Sequence, residues 1–365
     1  MRRHTREVHV EGAVDPRFEP VREVFAEVVA GQAGTGAAVA AWVGGALVVD
    51  LWGGSAGRSA WRRDSLVQPY SVSKPFAAVA ALVLVDRGLL DLDAPARLYW
   101  PQLRAAASVR EVLSHQAGVV ALDAPVGTEV FYDWHRLCAL LAAQEPAWEP
   151  GTAHGESALF YGHLVGELVR RVDGRGFGRF LREEVCGPLG LDFAVGLTPA
   201  EADRAVELTG LDDAFRRESV EGKPELYERA IGNPPGARDP AVVNGSAWRA
   251  AEVPAVNGHC TARGVAGLYA ALLDGRLLSP GLLREATTAH CSGPDRVFGH
   301  DNAWGLGFGV YDEGAYGMGG LGGSFAGATD GYAFGFVTGS MGDHDRSDRV
   351  ENAVRSCLGL PPLAD

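Results

Sequence analysis

The apolar positions fall into two patterns, one at each end of the chain and one through its middle. Residues 38–43 (AVAAWV) and 46–52 (ALVVDLW) are apolar, β-prone runs flanking Gly44-Gly45. Two such runs joined by a Gly pair predict a hairpin buried on at least one face. A loop rich in Gly, Ser and Arg follows, to about Pro69. From 74 to 87 the chain is nearly continuously apolar, with Pro75 where a first helical turn tolerates it and Gly88 where a helix stops. This predicts a buried helix with Ser71 at or just before its start. Ser108-Val109-Arg110-Glu111 matches a capping box opening a short helix that ends near Gly118. Helical patterns follow at about 133–144, 158–172 and 176–185. The stretch 199–258 is polar and rich in Pro and Gly, and predicts long loops and short helices. Thr261 is placed to cap a helix running to Asp274, and another follows Pro280. Then 304–311 (WGLGFGVY) and 332–339 (YAFGFVTG) predict strands, and 346–358 a closing helix. There is no internal repeat. The order predicts an α+β fold in one unit: an α/β lobe from about 1–70 and 255–365, with a helical lobe, about 75–250, inserted between its parts.

Composition narrows the partners. With 365 residues, 47% of them hydrophobic, the chain can bury a large core. A net charge of −13 disfavours nucleic acid and anionic membranes, which need a basic face. The small cluster Arg2, Arg3, Arg62 and Arg63 is too thin to reverse that. The opening MRRHTREVHVEG has no apolar run of the kind a secretory signal carries, and the apolar stretch 76–85 is too short to span a bilayer. These features lead us to expect a cytoplasmic protein without a membrane partner. Five widely spaced cysteines with no Cys-x-x-Cys or Cys/His cluster indicate neither a disulfide framework nor a zinc site, and no cofactor is expected.

The candidate chemistry begins at Ser71-Val72-Ser73-Lys74, a Ser-x-x-Lys pattern. Positions i and i+3 share a helical face, so Lys74 can hold its amine against the Ser71 hydroxyl. A free serine is a poor nucleophile and needs a neighbouring base, a role a buried lysine of depressed pKa can fill. A serine at a helix start also gains from the positive end of the dipole.

Around this pattern stand PYSVSKPFAAVAALVLVDRGLLDLDAPA, VREVLSHQAGV, WEPGTAHGESALFYGHLVGELVRRVDG, AVNGHCTARG and YGMGGLGGS, in that order. Together they resemble the serine β-lactamase-like superfamily, and within it the class C β-lactamase-like esterases and transacylases, from about residue 20 to 360. The resemblance implies a β-lactamase/transpeptidase-like fold, with an antiparallel sheet flanked by helices and a site between the sheet and a helical lobe. It implies Ser71 and Lys74 as the first motif. The second is a tyrosine in the segment after Pro150-Gly151 that helps move the nucleophile's proton. The third is Lys-Thr-Gly, His-x-Gly or Trp-x-Gly on a strand edging the site. The oxyanion hole would be the N–H groups of Ser71 and Leu321.

The chain departs from the second and third motifs. Glu156 stands at the tyrosine position in an ungapped placement, with Tyr161 five residues on; a shifted register would bring Tyr161 to the site instead. Glu156 is then either a base, working beside a Lys74 that its charge keeps protonated, or a solvated loop residue. The third motif reads Met318-Gly319-Gly320. Its glycines let a substrate approach, but Met318 supplies no positive charge for a substrate carboxylate, so penicillin-type substrates are not expected. His154 is a candidate for the pocket wall. His115 belongs to the family's Leu-Ser-His-x-x-Gly turn, and His259 reads as a satisfied histidine before a helix. No Asp stands at a spacing that would complete a Ser-His-Asp triad. Two functions remain open. One is serine-dependent acyl transfer on a small ester, thioester or amide, as an esterase, an amidase or a biosynthetic transacylase with an amine or alcohol acceptor. The other is a retained fold with degenerate motifs, acting non-covalently or as a binding protein.

Overall fold

The computed structural model describes residues 9–31, 35–57, 59–329 and 331–363; Arg2 and Arg3 lie outside them. Strands β1 (Val10–Val14), β2 (Gly36–Val43), β3 (Ala46–Ala56) and β4 (Ser59–Ala60) come from the first part of the chain. β5 (Phe193–Ala194) and β6 (His259–Cys260) form a small separate pair. β7 (Cys291–Pro294), β8 (Asp301–Trp304), β9 (Gly309–Val310), β10 (Tyr316–Gly319), β11 (Phe325–Thr329) and β12 (Tyr332–Thr338) close the chain's β part. The main sheet runs β1-β3-β2-β12-β11-β10-β9-β8-β7, all antiparallel, with β4 paired to β3.

The seam between the two ends is β2 against β12, with Val39 opposite Phe336 and Ala41 opposite Phe334. Alternation along these strands puts the phenylalanines on one face and mostly small side chains on the other. Val39, Phe334 and Phe336 face the helices Glu19–Ala30 and Asp345–Leu358, with Phe25 and Val354 in the same cluster. Ala38, Ala40 and Ala333 face the other way, toward the helix Ala262–Leu273. That helix lies close: a Cβ on Gly335 would come within 3.0 Å of Ala262 O. Small residues on this face are what let the helix backbone approach.

The hairpin turn is as expected, with Gly44 and Gly45 both at positive φ, the conformation a two-residue primed turn requires. The helix Lys74–Asp86 is buried all round except at its last two residues, and Gly88 past its end adopts φ 68. Ser108 and Glu111 form the capping box of Val109–Leu113. The segment 199–258 holds five short helices. Two expectations shift. The fourth helical pattern starts at Tyr161 rather than 158, because 157–160 makes a turn that leaves Glu156 outside the helix. The run 304–311 is not one strand. Gly305 N bonds to Phe308 O, Gly307 takes φ 87 against Ala78, and the resulting turn buries Leu306 and Phe308.

Among the described residues no helix is long and apolar enough to cross a membrane. All five cysteines are free. Arg62 and Arg63 pair with Asp64 and Asp50, so neither contributes a free basic patch.

Helix Asp345–Leu358 carries a buried carboxyl, Glu351, which accepts a 2.6 Å bond from the Tyr332 hydroxyl. Burial pushes Glu351 from its ordinary 4.5 up to about 7, although Tyr332 and Arg355 pull it down. A raised carboxyl pKa means the folded state holds the proton more tightly than the unfolded chain does. Its stabilising contribution is therefore complete below about pH 4.5 and is lost as pH rises through about 7. In urea melts, Glu351→Gln should lose less stability than the parent between pH 5 and pH 8, by at most roughly 3 kcal/mol. Parallel pH curves for the two proteins would contradict this.

Candidate active site

The nucleophile candidate sits on a forced turn. Tyr70 adopts φ 50, unusual for a side-chain-bearing residue, and is held by its buried hydroxyl, which donates to Ala237 O at 3.1 Å. A 3-10 turn, Tyr70–Ser73, then leads into the helix that begins at Lys74. Ser71 thus precedes the α-helix, and residues three apart eclipse in a 3-10 turn, which brings Lys74 over it.

Lys74 has no exposed surface. Its ammonium has three N–H donors, and three oxygens surround it: Ser71 Oγ at 2.7 Å, Glu156 Oε1 at 2.8 Å and Ala255 O at 3.4 Å. Glu156 Oε1 is also 3.4 Å from Ser71 Oγ. Burial pulls the Lys74 pKa below its ordinary value, and the Glu156 carboxylate pushes back.

Glu156 is buried, not a solvated loop residue. Its backbone is pinned on both sides. Glu156 N donates to Asp295 Oδ2 at 2.9 Å, and Ser157 N donates to His115 Nδ1 at 3.2 Å. Asp295 is itself buried and is saturated by N–H donors. Val297 N and Phe298 N reach Oδ1 at 2.8 and 2.7 Å, and Asn302 Nδ2 reaches Oδ2 at 2.9 Å. Gly155 beside it fits because a Cβ there would meet Trp148 and Val297 within 2.9 Å.

Strand β10 closes the site from the sheet. Met318 is buried and lines the cavity with Gly319, Gly320 and Leu321. A Cβ on Gly320 would collide with Pro69 O, so glycine lets this strand end lie against the nucleophile turn. Leu321 N has no hydrogen-bond partner among the described residues. Ser71 stands second in its 3-10 turn, where backbone N–H groups lack an intrahelical acceptor. The cavity encloses about 1390 Å³.

Two proposed wall residues are not in the wall. His154 is buried with Nε2 3.0 Å from Asn302 Oδ1, so its ring serves the Asp295 network. Tyr161 opens its helix with its hydroxyl donating to Leu113 O at 3.0 Å, and burial raises its pKa far above the ordinary phenol value. The shifted register that would have brought Tyr161 to Ser71 is not the one adopted. His115, at φ 62, stacks between Tyr161 and Trp304 with both ring centroids at 4.4 Å, and burial pulls its pKa well below 6.5. Since Nδ1 accepts from Ser157, this is a neutral structural histidine. His259 Nδ1 lies 2.8 Å from Asn257 O, a satisfied residue as expected. Asp295 and Asn302 escaped the sequence reading because they stand about 140 residues from the loop they hold, without any spacing signal.

A serine and lysine on a helix entrance, facing the end of β10 in an antiparallel sheet, define a protein built around a serine-centred cleft. The family model described as Beta-lactamase matches residues 21–356, and this chain belongs to that family. The chain is 34% identical over 283 residues to Esterase/beta-lactamase LipL of Mycobacterium tuberculosis, a match covering 72% of this chain and 64% of LipL. It thus spans just under two thirds of that relative's length. Among solved structures, a family VIII carboxylesterase is 35% identical with a TM-score of 0.87, over 96% of this chain and 100% of that one. A penicillin-binding protein homologue from Caulobacter crescentus is 33% identical with a TM-score of 0.86, over 96% and 100%.

Asp295→Ala would leave the N–H groups of Glu156, Val297 and Phe298 without acceptors. Each unsatisfied buried donor costs about 1–3 kcal/mol, so urea unfolding should show a loss on the order of 2–4 kcal/mol after partial relaxation. A loss below about 0.5 kcal/mol would mean that the loop does not depend on this carboxylate.

Proposed function

We propose that this chain is a serine hydrolase of small esters working through an acyl-enzyme on Ser71. The observation that carries the reading is the compact contact of Ser71 Oγ, Lys74 Nζ and Glu156 Oε1, with separations of 2.7, 2.8 and 3.4 Å. With a carboxylate 2.8 Å away, Lys74 rests as an ammonium. Ser71 Oγ attacks the ester carbonyl and its proton passes to Glu156. The Lys74 ammonium offsets negative charge developing on Oγ, and the N–H groups of Ser71 and Leu321 receive the oxyanion. The collapsing tetrahedral species expels the alkoxide, which takes the proton from Glu156. Water then gives a proton to Glu156 as it adds to the acyl carbon. Breaking the Oγ–acyl bond releases the acid, and Ser71 recovers the proton.

Glu156 thus does the work that the family pattern gives to a tyrosine. Met318 brings no cation to the sheet side, so β-lactams are not the favoured substrates. The cavity of about 1390 Å³ is larger than the usual 300–1,000 Å³ of small-ligand pockets. It leaves room for an amine or alcohol beside the acyl group, so transacylation is the natural extension of the same chemistry.

Ser71→Ala should abolish turnover of p-nitrophenyl butyrate and the mass increase left by a fluorophosphonate, while the protein stays folded with a melting temperature lowered by no more than about 5 °C, since the buried Lys74 ammonium loses one of its three acceptors. A well-folded Ser71→Ala protein with full activity would end the nucleophilic reading. Glu156→Gln keeps size and polarity but cannot take a proton. A general base contributes on the order of 10²–10⁴ in rate, so a fall of more than tenfold is expected. Glu156→Tyr should recover part of that rate at a higher pH optimum, because an ordinary phenol titrates near 10. If Glu156→Gln turns over like the parent, Glu156 only balances the Lys74 charge.

A further inference from the structure

The cleft carries a cation that the chemistry above does not use. Arg238 lines the cavity together with Ser71, Tyr70 and Tyr227. Its neighbour Ala237 is tied to the nucleophile turn through the Tyr70 hydroxyl at 3.1 Å, so the two walls are fixed to each other. Arg238 is half-buried, and one nitrogen does all its bonding: Nη1 reaches Ser219 Oγ at 2.8 Å and Arg216 O at 3.5 Å. Nε and Nη2 have no hydrogen bond among the described residues, and no described carboxylate lies within ion-pairing distance. By contrast, Arg204 is held by both oxygens of Asp192 and Arg175 by Asp173 and Glu183. Lys223, close by, is also without a carboxylate and lies 6.0 and 5.8 Å from the Tyr227 and Phe298 ring centroids.

The carboxylates that share the cavity are engaged or belong to other segments. Glu156 is paired with Lys74, and Glu218 is exposed. Asp301 is on β8, Asp312 follows β9, and Asp343, Asp348 and Glu351 come from the chain after β12 and from the C-terminal helix. Glu228 is near enough for its charge to act on Arg238, but like the others it forms no ion pair with it. A guanidinium is always charged and presents a planar fork of donors matched to a carboxylate. A half-buried one with its fork open to a cavity is poised for an anion that arrives with the substrate.

We propose that Arg238 forms an anion subsite of the cleft and selects esters that carry a carboxylate on the acyl arm. The acyl arm stays on Ser71 through both half-reactions, so a subsite fixed to the nucleophile turn acts on that arm rather than on the departing alcohol. This proposal rests on the acyl-transfer reading and names its substrate class. The positive charge that Met318 does not supply on the sheet side is thus placed on the opposite wall by Arg238.

The test compares the p-nitrophenyl monoester of adipic acid with p-nitrophenyl hexanoate, which have equal acyl length and differ by the terminal carboxylate. In the parent, kcat/KM should favour the adipate ester, and Arg238→Met should lower the ratio of the two by fivefold or more, with Arg238→Lys between them. A smaller fall in Arg238→Met overturns the proposal. A second measurement keeps it separate from catalysis: calorimetric binding of monoethyl adipate to the Ser71→Ala protein, with and without Arg238→Met. Weakening by fivefold or more supports the subsite, and anything less sinks it. If the parent cleaves neither ester and takes no fluorophosphonate, the acyl-transfer reading fails, while the binding comparison still decides the fate of the Arg238 subsite.

Discussion

A lysine with no exposed surface is the constraint around which the site is arranged. Taking an ammonium out of water costs several kcal/mol unless the protein replaces its hydration. Here the replacement comes from three separate stretches: Ser71 on the nucleophile turn, Glu156 on the loop before a helix, and the carbonyl of Ala255 after the helical lobe. Each must be delivered to within hydrogen-bond range of one nitrogen. That requirement explains the apparatus around them, including the strained Tyr70 and the buried Asp295 that fixes the Glu156 backbone. The catalytic reading and the structural one are thus two views of the same buried charge.

Glu156 in place of a tyrosine changes the electrostatics of the cleft. A neutral phenol beside an ammonium leaves a positive site, whereas a carboxylate beside it leaves a neutral pair. Met318 likewise brings no charge to the strand position that lines the cleft. Arg238 adds a positive charge to the cavity from the loop between two short helices.

The sheet supports this arrangement through side-chain size. Large residues of β2 and β12 pack on the two terminal helices, and small ones accept the helix Ala262–Leu273 at close range. The same logic operates at Gly320, where the missing side chain lets the end of β10 touch the turn that carries Ser71. Small residues set the distance between layers, and the layers set the width of the cleft.

Local signals in the sequence determined much of this. The Gly44-Gly45 hairpin, the uniformly apolar helix after Ser71, the Ser108 capping box and the Ser71/Lys74 spacing all depend on neighbours within a few residues, where period and turn chemistry suffice. The resemblance of ordered segments located Glu156 at the position of a tyrosine. Whether Glu156 is buried against Lys74 or solvated was not legible, because that depends on Asp295 and Asn302, about 140 residues away. The same holds for the split of 304–311 into strand, turn and strand, which follows from Gly307 meeting Ala78. It holds too for His154 and Tyr161, whose polar atoms found Asn302 and Leu113 rather than the cleft. Sequence settles what a residue's own neighbours can satisfy; the partner of a buried polar atom is chosen by the tertiary structure, because only packing decides which distant donors and acceptors lose water together.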